Sequence, residues 1–364
     1  MGAARDEFVD FCRAFSLIVV VIWHWVFTII IWSETGPSAS NPIAFTDGLW
    51  LLTWLLQVMP VFFFVGGFAH LKVWEKNRAS GGGYWTFVGG RAKRLLIPSA
   101  ALAGTWIALG IIVGTLVNAP WLGKTVLLII SPLWFIVVYM MLVVIAPIAI
   151  WAHKRSDPVV VVLLAGCAIL VDVARFANKI TWVALLNFVI VWGLCHQLGF
   201  YYERLVSAPR KIALAMALGG LIALIALVNT NIYPGSMVGV PGDDFSNMGP
   251  PTLCIVALLF FQVGVVLLIR AWVLERLERP RWERVNDVIN RFALPLYLFH
   301  STGYAIVMAA VLALGYRPEP EPTLSWWAWR PFWLIAPLIA TIPVILVFGK
   351  RWTASPKPVV PSRW

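Results

Sequence analysis

Charged residues are scarce in this chain. Only 12% of its 364 residues are Asp, Glu, Lys or Arg, against about a quarter in ordinary soluble domains. Hydrophobic residues make up 60%, and apolar runs recur from one end to the other. No stretch between these runs is long enough for a separate soluble core. The composition therefore excludes an ordinary soluble domain and predicts a single polytopic membrane bundle.

Cysteine is scarce as well. The four cysteines, three of which lie inside apolar runs, form neither a paired framework nor a metal-ligand spacing. We therefore expect no disulfides, no structural zinc and no metal cofactor. The net charge of +11 does not indicate a nucleic-acid partner, because basic residues in an integral protein report which side of the bilayer they face.

A helix needs about 20 apolar residues to cross a bilayer core about 30 Å thick. By this measure the sequence predicts an all-α protein with ten transmembrane helices in one domain over residues 1–349, followed by a short basic, Pro-rich tail over 350–364. The predicted spans are 14–33, 48–73, 95–117, 132–152, 158–176, 181–201, 211–229, 251–274, 291–315 and 330–349.

The basic residues fall mostly on one side of these spans. With the N-terminus in the cytoplasm, 22 of the 28 Lys and Arg residues face the cytoplasm, as the positive-inside rule requires. The five on the outer side are Lys124, Arg175, Lys179, Arg317 and Arg330, and Arg270 lies within the eighth predicted span near its inner end. The distribution predicts that both termini are cytoplasmic and that the protein lies in the cell membrane.

Ionisable residues at membrane depth are costly and indicate function. His24 lies in the middle of the first predicted span, and His300 lies inside the ninth. Arg13 precedes His24 by three helical turns, so the two share one helix face about 16 Å apart. The alternative is that each histidine bonds a neighbour and only fixes helix packing.

Three further histidines occupy less apolar positions. His70 and His196 are near the inner ends of predicted helices, and His153 is in a predicted cytoplasmic loop. We interpret them as interfacial or solvated. All 17 carboxylates fall in loops or at span ends, which argues against a proton-coupled transporter.

Five motifs, in order along the chain, resemble those of acyltransferase family 3. They are Asp10-Phe11-Cys12-Arg13 followed by His24, Phe62-Phe63-Phe64-Val65-Gly66-Gly67-Phe68, Arg91-Ala92-Lys93-Arg94, Leu133-Trp134-Phe135, and Leu296-Tyr297-Leu298-Phe299-His300. Gly66 stands where the family motif has serine. The resemblance implies a ten-helix enzyme that moves an acyl group, most often acetyl from acetyl-CoA, to a hydroxyl of a carbohydrate or glycolipid of the cell envelope.

The resemblance and the chemistry together assign roles. A neutral imidazole suits the removal of a proton from an attacking alcohol, so His24 is the expected general base, with Arg13 and Asp10 on the same helix. The cytoplasmic residues expected to bind the phosphates and arm of acyl-CoA are Arg91, Lys93, Arg94 and Gly67. The residues expected to bind the acceptor are Trp134, Asp243, Asp244, Asn247, Tyr297 and His300.

Two other functions fit the same composition. A transporter or flippase of an anionic lipid or metabolite would use a similar basic entrance, but it predicts inverted repeats, and the prolines that interrupt spans are not placed symmetrically. A non-catalytic relative that keeps the fold is the second alternative, and Gly66 is the hint of it. Under every interpretation the partners include the lipid bilayer and exclude nucleic acid.

Overall fold

The computed structural model describes residues 6–34, 36–119 and 121–354. It is 78% helical, and ten of the described helical segments are long and apolar enough to cross a membrane. These segments are Glu7–Val26, Leu49–Ala79, Tyr84–Val117, Leu122–Ser156, Val159–Phe176, Thr181–Gly199, Arg210–Val228, Leu253–Leu277, Pro280–Ala313 and Arg330–Trp352. The predicted all-α membrane fold with ten spans is confirmed. The cytoplasmic position of the termini stays a prediction.

Several spans are built from more than one helix. In chain order the α-helices and strands are α1 (Glu7–Val26), β1 (Ile29–Ser33), β2 (Gly36–Ser40), α2 (Leu52–Leu56), α3 (Met59–Ala79), α4 (Tyr84–Val117), α5 (Leu122–Ile130), α6 (Trp134–Ser156), α7 (Val159–Phe176), α8 (Asn187–Gly199), α9 (Tyr202–Ser207), α10 (Arg210–Val228), α11 (Leu253–Leu277), α12 (Pro280–Ala313), α13 (Leu324–Ala328) and α14 (Arg330–Val344). Short 3₁₀ turns and one π-helical turn join some of them.

The chain forms two compact units, and neither is continuous in sequence. Unit 1 takes its described residues from 1–27, 270–319 and 323–364, and unit 2 from 28–269 and 320–322. The expected single domain over 1–349 stays a prediction. Of the expected tail over 350–364, residues 355–364 lie outside the described residues.

Unit 1 is held together by polar contacts between helices. Helix α1 is capped by Asp6, whose carboxylate accepts hydrogen bonds from the amides of Phe8 and Val9 at 2.9 and 3.0 Å, a common N-cap arrangement. Asn290 on α12 donates to the carbonyl of Asp10 on α1 at 2.9 Å. Helices α12 and α14 approach so closely that a Cβ at Gly303 would overlap the Thr341 hydroxyl.

The first predicted span is wrong at its C-terminal end. Helix α1 stops at Val26, and residues 29–33 form strand β1, which pairs antiparallel with β2 in the register Ile29↔Ser40 to Ser33↔Gly36. Three consecutive β-branched isoleucines favour the extended chain, and Gly36 adopts a φ of 108°, which is open mainly to glycine. Hydropathy alone does not distinguish this strand from a continuing helix.

Two other helices begin earlier than their apolar runs. Helix α4 starts at Tyr84 and α12 at Pro280, whereas the sequence predicted starts at residues 95 and 291. Hydropathy detects only the apolar part of a helix, and Lys and Arg propagate a helix well. Arg91, Lys93 and Arg94 therefore lie within α4 rather than in a loop before it.

In unit 2 a buried carboxylate anchors the connection between α10 and α11. Asp172 on α7 is 2% exposed and accepts hydrogen bonds from Asn187 at 3.0 Å, the Tyr233 hydroxyl at 3.0 Å and the Leu253 amide at 2.9 Å. Burial, together with the charge of Asp172, raises the pKa of Tyr233. The phenol therefore stays protonated and remains a donor.

Close helix pairs in unit 2 depend on glycine. A Cβ at Gly67 on α3 would overlap the His196 carbonyl on α8, and a Cβ at Gly199 on α8 would overlap the Phe64 carbonyl on α3. Helices α10 and α11 meet in the same way at Gly220 and Gly264. Small residues let helix backbones approach in a membrane, where packing and interhelical hydrogen bonds hold helices together.

The neighbours Gly219 and Gly220 allow a matched test of this packing. A Cβ at Gly220 would overlap backbone atoms of Phe261, and backbone atoms cannot rotate out of the way as a side chain can. A Cβ at Gly219 meets nothing within 4 Å. We expect Gly220→Ala to lower the free energy of unfolding by about 1–3 kcal/mol, the usual cost of overpacking. Gly219→Ala should leave it unchanged or raise it, since alanine favours helix.

The measurement is the unfolding midpoint of each purified variant in detergent. Equal midpoints for the two variants would contradict the close contact between α10 and α11.

Candidate active site

Unit 1 brings the two predicted histidines together. The ring centroids of His24 on α1 and His300 on α12 are 5.0 Å apart, with the planes inclined at 57°. His300 is fully buried, and its carbonyl accepts a hydrogen bond from Trp25 Nε1 at 2.9 Å. His24 lies in the last turn of α1 rather than in the middle of the span predicted over residues 14–33. The helix that carries it begins and ends earlier than predicted.

Backbone carbonyls fix the tautomer of both rings. His24 Nδ1 lies 2.7 Å from the Val20 carbonyl oxygen, and His300 Nδ1 lies 2.5 Å from that of Tyr297. A carbonyl oxygen only accepts, so each Nδ1 carries the proton in these hydrogen bonds. Each neutral ring then presents Nε2 as a base. The Ser301 hydroxyl lies 3.3 Å from His300 Nε2 and is placed to donate to it.

The other predicted residues of unit 1 surround this pair or lie farther along α1. Tyr297 is buried, with its ring centroid 5.8 Å from that of His300. Arg13 shares α1 with His24 and has a half-buried side chain, whose Nη1 is 3.4 Å from the Asp10 carboxylate. Asp10 is itself buried. The Arg13–Asp10 ion pair thus lies near the N-terminal end of α1, and His24, which contacts His300 of α12, lies near its C-terminal end.

The predicted acyl-CoA residues lie in unit 2. Arg91 is half-buried, with its guanidinium carbon 4.0 Å from the Phe87 ring centroid and its Nη1 3.2 Å from the Phe87 carbonyl oxygen. Lys93 and Arg94, on the same helix, are exposed. Gly67 lies in the contact between α3 and α8. Its predicted role in binding the arm of acyl-CoA stays a prediction.

Gly66 has space for the serine of the family motif. A Cβ there would lie 3.5 Å from Tyr139 Cε2, an ordinary van der Waals distance. The glycine is therefore not imposed by packing. Trp134, one of the predicted acceptor residues, is half-buried near Trp192, with ring centroids 6.4 Å apart.

The predicted acceptor residues of the α10–α11 connection differ in surroundings. Asp243 and Asp244 are exposed, and partial desolvation of its carboxyl, followed by the charge of Asp244, raises the pKa of Asp243. Asn247 is fully buried. Its amide nitrogen donates to the carbonyls of Pro234 and Ser236, and its oxygen accepts from Thr252. Asn247 therefore shapes the connection, and a contact with the acceptor stays a prediction.

Comparison with known proteins identifies the family. The sequence model of the acyltransferase domain of family 3 matches residues 6–349 of 364. The chain belongs to acyltransferase family 3. No curated protein and no solved structure matches it significantly. The match and the ten apolar helices identify a multi-pass membrane acyltransferase. Among the described residues of this acyltransferase, no three His, Cys, Asp or Glu side chains are grouped to hold a metal ion.

The interpretation of three further histidines of the acyltransferase as solvated is wrong, whereas their position near the membrane interface stays a prediction. His70, His153 and His196 are all buried, and His153 lies within α6 rather than in a loop. His70 Nδ1 on α3 is 2.9 Å from His196 Nε2 on α8, and His153 Nδ1 is 3.3 Å from Gln197 Nε2. In the sequence, each of these histidines lies at the end of an apolar run. That position does not show which helices pack together, and so it does not predict that the histidines are buried.

The His70–His196 hydrogen bond predicts a non-additive pair of substitutions. His70→Leu leaves His196 buried without that partner, which should cost about 1–3 kcal/mol of unfolding free energy. Because replacing both members with apolar groups removes the unpaired atom, His70→Leu with His196→Leu should cost less than the sum of the single changes.

Unfolding midpoints of the two single variants and the double variant of the acyltransferase, measured in detergent, complete the cycle. Strictly additive costs would show that the two imidazoles are not coupled.

Proposed function

We propose that this acyltransferase moves an acyl group, most simply acetyl, from acyl-CoA to a hydroxyl of a carbohydrate, glycolipid or other cell-envelope acceptor, with His24 as the general base. The observation that carries the proposal is the close His24–His300 pair, in which both Nδ1 atoms are bonded to carbonyls and both Nε2 atoms are available as bases. The family match supplies the reaction class.

In the proposed reaction the acceptor hydroxyl attacks the thioester carbonyl carbon of acyl-CoA. His24 Nε2 takes the hydroxyl proton, a carbon–oxygen bond forms, and the carbon–sulfur bond breaks. The proton then goes from the imidazolium to the departing thiolate, which yields an ester and free CoA. Such proton transfer by a positioned histidine contributes typically 10²- to 10⁴-fold to a rate.

His300 supports this step as a neutral neighbour. Two imidazolium charges with ring centroids 5.0 Å apart would repel each other, so only one ring of the pair carries the extra proton at a time. The neutral ring thus lies beside the charged one without adding a second positive charge during attack. Transient acylation of His24 Nε2 is the alternative course, and it uses the same free nitrogen.

The donor is proposed to arrive from the cytoplasmic side. The excess of Lys and Arg on that side supports cytoplasmic termini in the cell membrane. Arg91, Lys93 and Arg94 on α4 offer the charged donors that phosphates bind strongly. Arg13 lies three helical turns before His24, about 16 Å along α1. That length is comparable to the pantetheine arm, so phosphates near Arg13 would leave the thioester near His24.

Replacing the base tests the central step. His24→Ala should reduce CoA release in the presence of acceptor by about 10²- to 10⁴-fold, because it removes the group that is proposed to take the hydroxyl proton. The assay measures CoA released from labelled acetyl-CoA by purified protein, with and without a membrane glycolipid extract. His153→Gln is the matched control, since it also removes a buried imidazole, and it should retain transfer.

Full transfer by a folded His24→Ala protein would rule out the general-base assignment. Solute flux without CoA release under any condition would instead favour a transporter.

The donor site has its own test. Arg91→Gln should raise the KM for acetyl-CoA by about tenfold, corresponding to the loss of one charge-assisted contact worth about 1.4 kcal/mol or more. Arg78→Gln is the matched control, because Arg78 is exposed on α3 and we assign it only to charge placement. An unchanged KM in Arg91→Gln, or an equal rise in Arg78→Gln, would remove Arg91 from the donor site.

A further inference from the structure

Unit 1 contains a buried arginine that the mechanism above does not use. Arg330, the first residue of α14, is 7% exposed. Its Nε donates to the Trp326 carbonyl at 2.9 Å, and its Nη1 donates to the Val26 carbonyl at 3.2 Å. Its guanidinium carbon lies 3.6 Å from the Trp326 ring centroid and 5.9 Å from that of Trp333. Its position is therefore fixed by α1, α13 and α14 together.

The charge of this guanidinium is not neutralised at close range. Buried charges in proteins are ordinarily paired, but Arg330 forms no ion pair with any described residue. Glu319 acts on it electrostatically without forming an ion pair with it, and accepts a hydrogen bond from Thr323. Nη2 of Arg330, with its two hydrogens, has no hydrogen-bond partner among the described residues. The side chain thus retains both a charge and a pair of donors.

Arg330 is close to the histidine pair along α1. The carbonyl that it binds belongs to Val26, two residues beyond His24 and so about 3 Å farther along the helix axis. On α12, Tyr304 lies one turn beyond His300, and its ring centroid is 5.1 Å from that of Trp333. The cation therefore lies beyond the C-terminal end of α1, on the side opposite Arg13, whereas the His24 ring is turned back toward Val20.

We propose that Arg330 binds an oxyanion of the acceptor, so that the preferred acceptor is a sugar with a carboxylate or phosphate group. This inference rests on the proposed function. A guanidinium binds either oxyanion through parallel hydrogen bonds. Arg330 would then hold the anionic group of the acceptor, while His24 acts on a hydroxyl of the same molecule.

The test compares three sugars that differ only in the group at carbon 6, which is neutral in one and anionic in the other two. The probes are methyl glucoside, methyl glucuronide and methyl glucoside with a phosphate on its primary hydroxyl, each titrated into the purified full chain without an acyl donor. We expect the wild type to bind at least one anionic sugar about tenfold or more tightly than the neutral one, as for a charge-assisted contact. The tighter of the two anionic arms identifies carboxylate or phosphate as the preferred group.

Substitutions test whether Arg330 causes the preference for an anionic sugar. Arg330→Gln should abolish it, and Arg330→Lys should retain part of it, since lysine keeps the charge but loses the planar fork. Arg317→Gln is the matched control, because it removes the same charge from an exposed residue of unit 1, and it should keep the preference. If Arg330→Gln does not fold, the wild type and Arg330→Lys decide the question.

Three results would overturn the inference: equal affinity of the wild type for all three sugars, a preference that survives in Arg330→Gln, or one that is lost equally in Arg317→Gln. Because sugar binding is measured without an acyl donor, its outcome is separate from that of the CoA-release assay. Failure of CoA release would reject the proposed function, whereas CoA release without an anion preference would reject only the role of Arg330.

Discussion

The hydrogen bond from His24 Nδ1 to the Val20 carbonyl decides what the first helix contributes to chemistry. An imidazole inside a membrane bundle has little water to bond, so its N–H must find a partner in the protein. The carbonyl of its own helix, one turn back, provides that partner, and the constraint leaves Nε2 as the basic nitrogen. The same arrangement recurs at His300 with the Tyr297 carbonyl. Two bases on different helices are thereby oriented by main-chain atoms that no side-chain substitution removes.

The surrounding packing keeps these helices in register. Trp25 ties α1 to the backbone of His300, Asn290 ties α12 to the backbone of Asp10, and Gly303 lets α14 approach α12. The first two contacts are hydrogen bonds from a side chain to the backbone of a neighbouring helix, and the third is a close approach that a glycine allows. Contacts of this kind suit a membrane interior, where helices gain little from further apolar burial and more from close packing and satisfied polar groups. The histidine pair is consequently positioned by unit 1 alone.

The sequence predicted the number of spans and the candidates His24 and His300 because both depend on strong local signals: long apolar runs and rare polar residues within them. It did not predict contacts that depend on which helices become neighbours. His70 and His196 are 126 positions apart, and only the packing of α3 against α8 at Gly67 and Gly199 brings them within hydrogen-bond distance. Every carboxylate was expected in a loop or at a span end, yet Asp172 on α7 is buried because its hydrogen-bond partners lie on other segments. Hydropathy along the chain does not report contacts between residues that are distant in sequence.

The end of α1 shows how a local feature outside the motifs shapes the site. Because the isoleucine run after Thr28 forms a strand, the helix ends at Val26, and the last carbonyls of a helix have no intrahelical partners. The Val26 carbonyl is one of these, and Arg330 donates to it. Had α1 continued to residue 33, as hydropathy predicted, the Val26 carbonyl would have been occupied by an amide of its own helix. Early termination of the helix thus explains why a cation approaches the backbone two residues beyond His24, and why the proposed base lies between an arginine on its own helix and one supplied by α14.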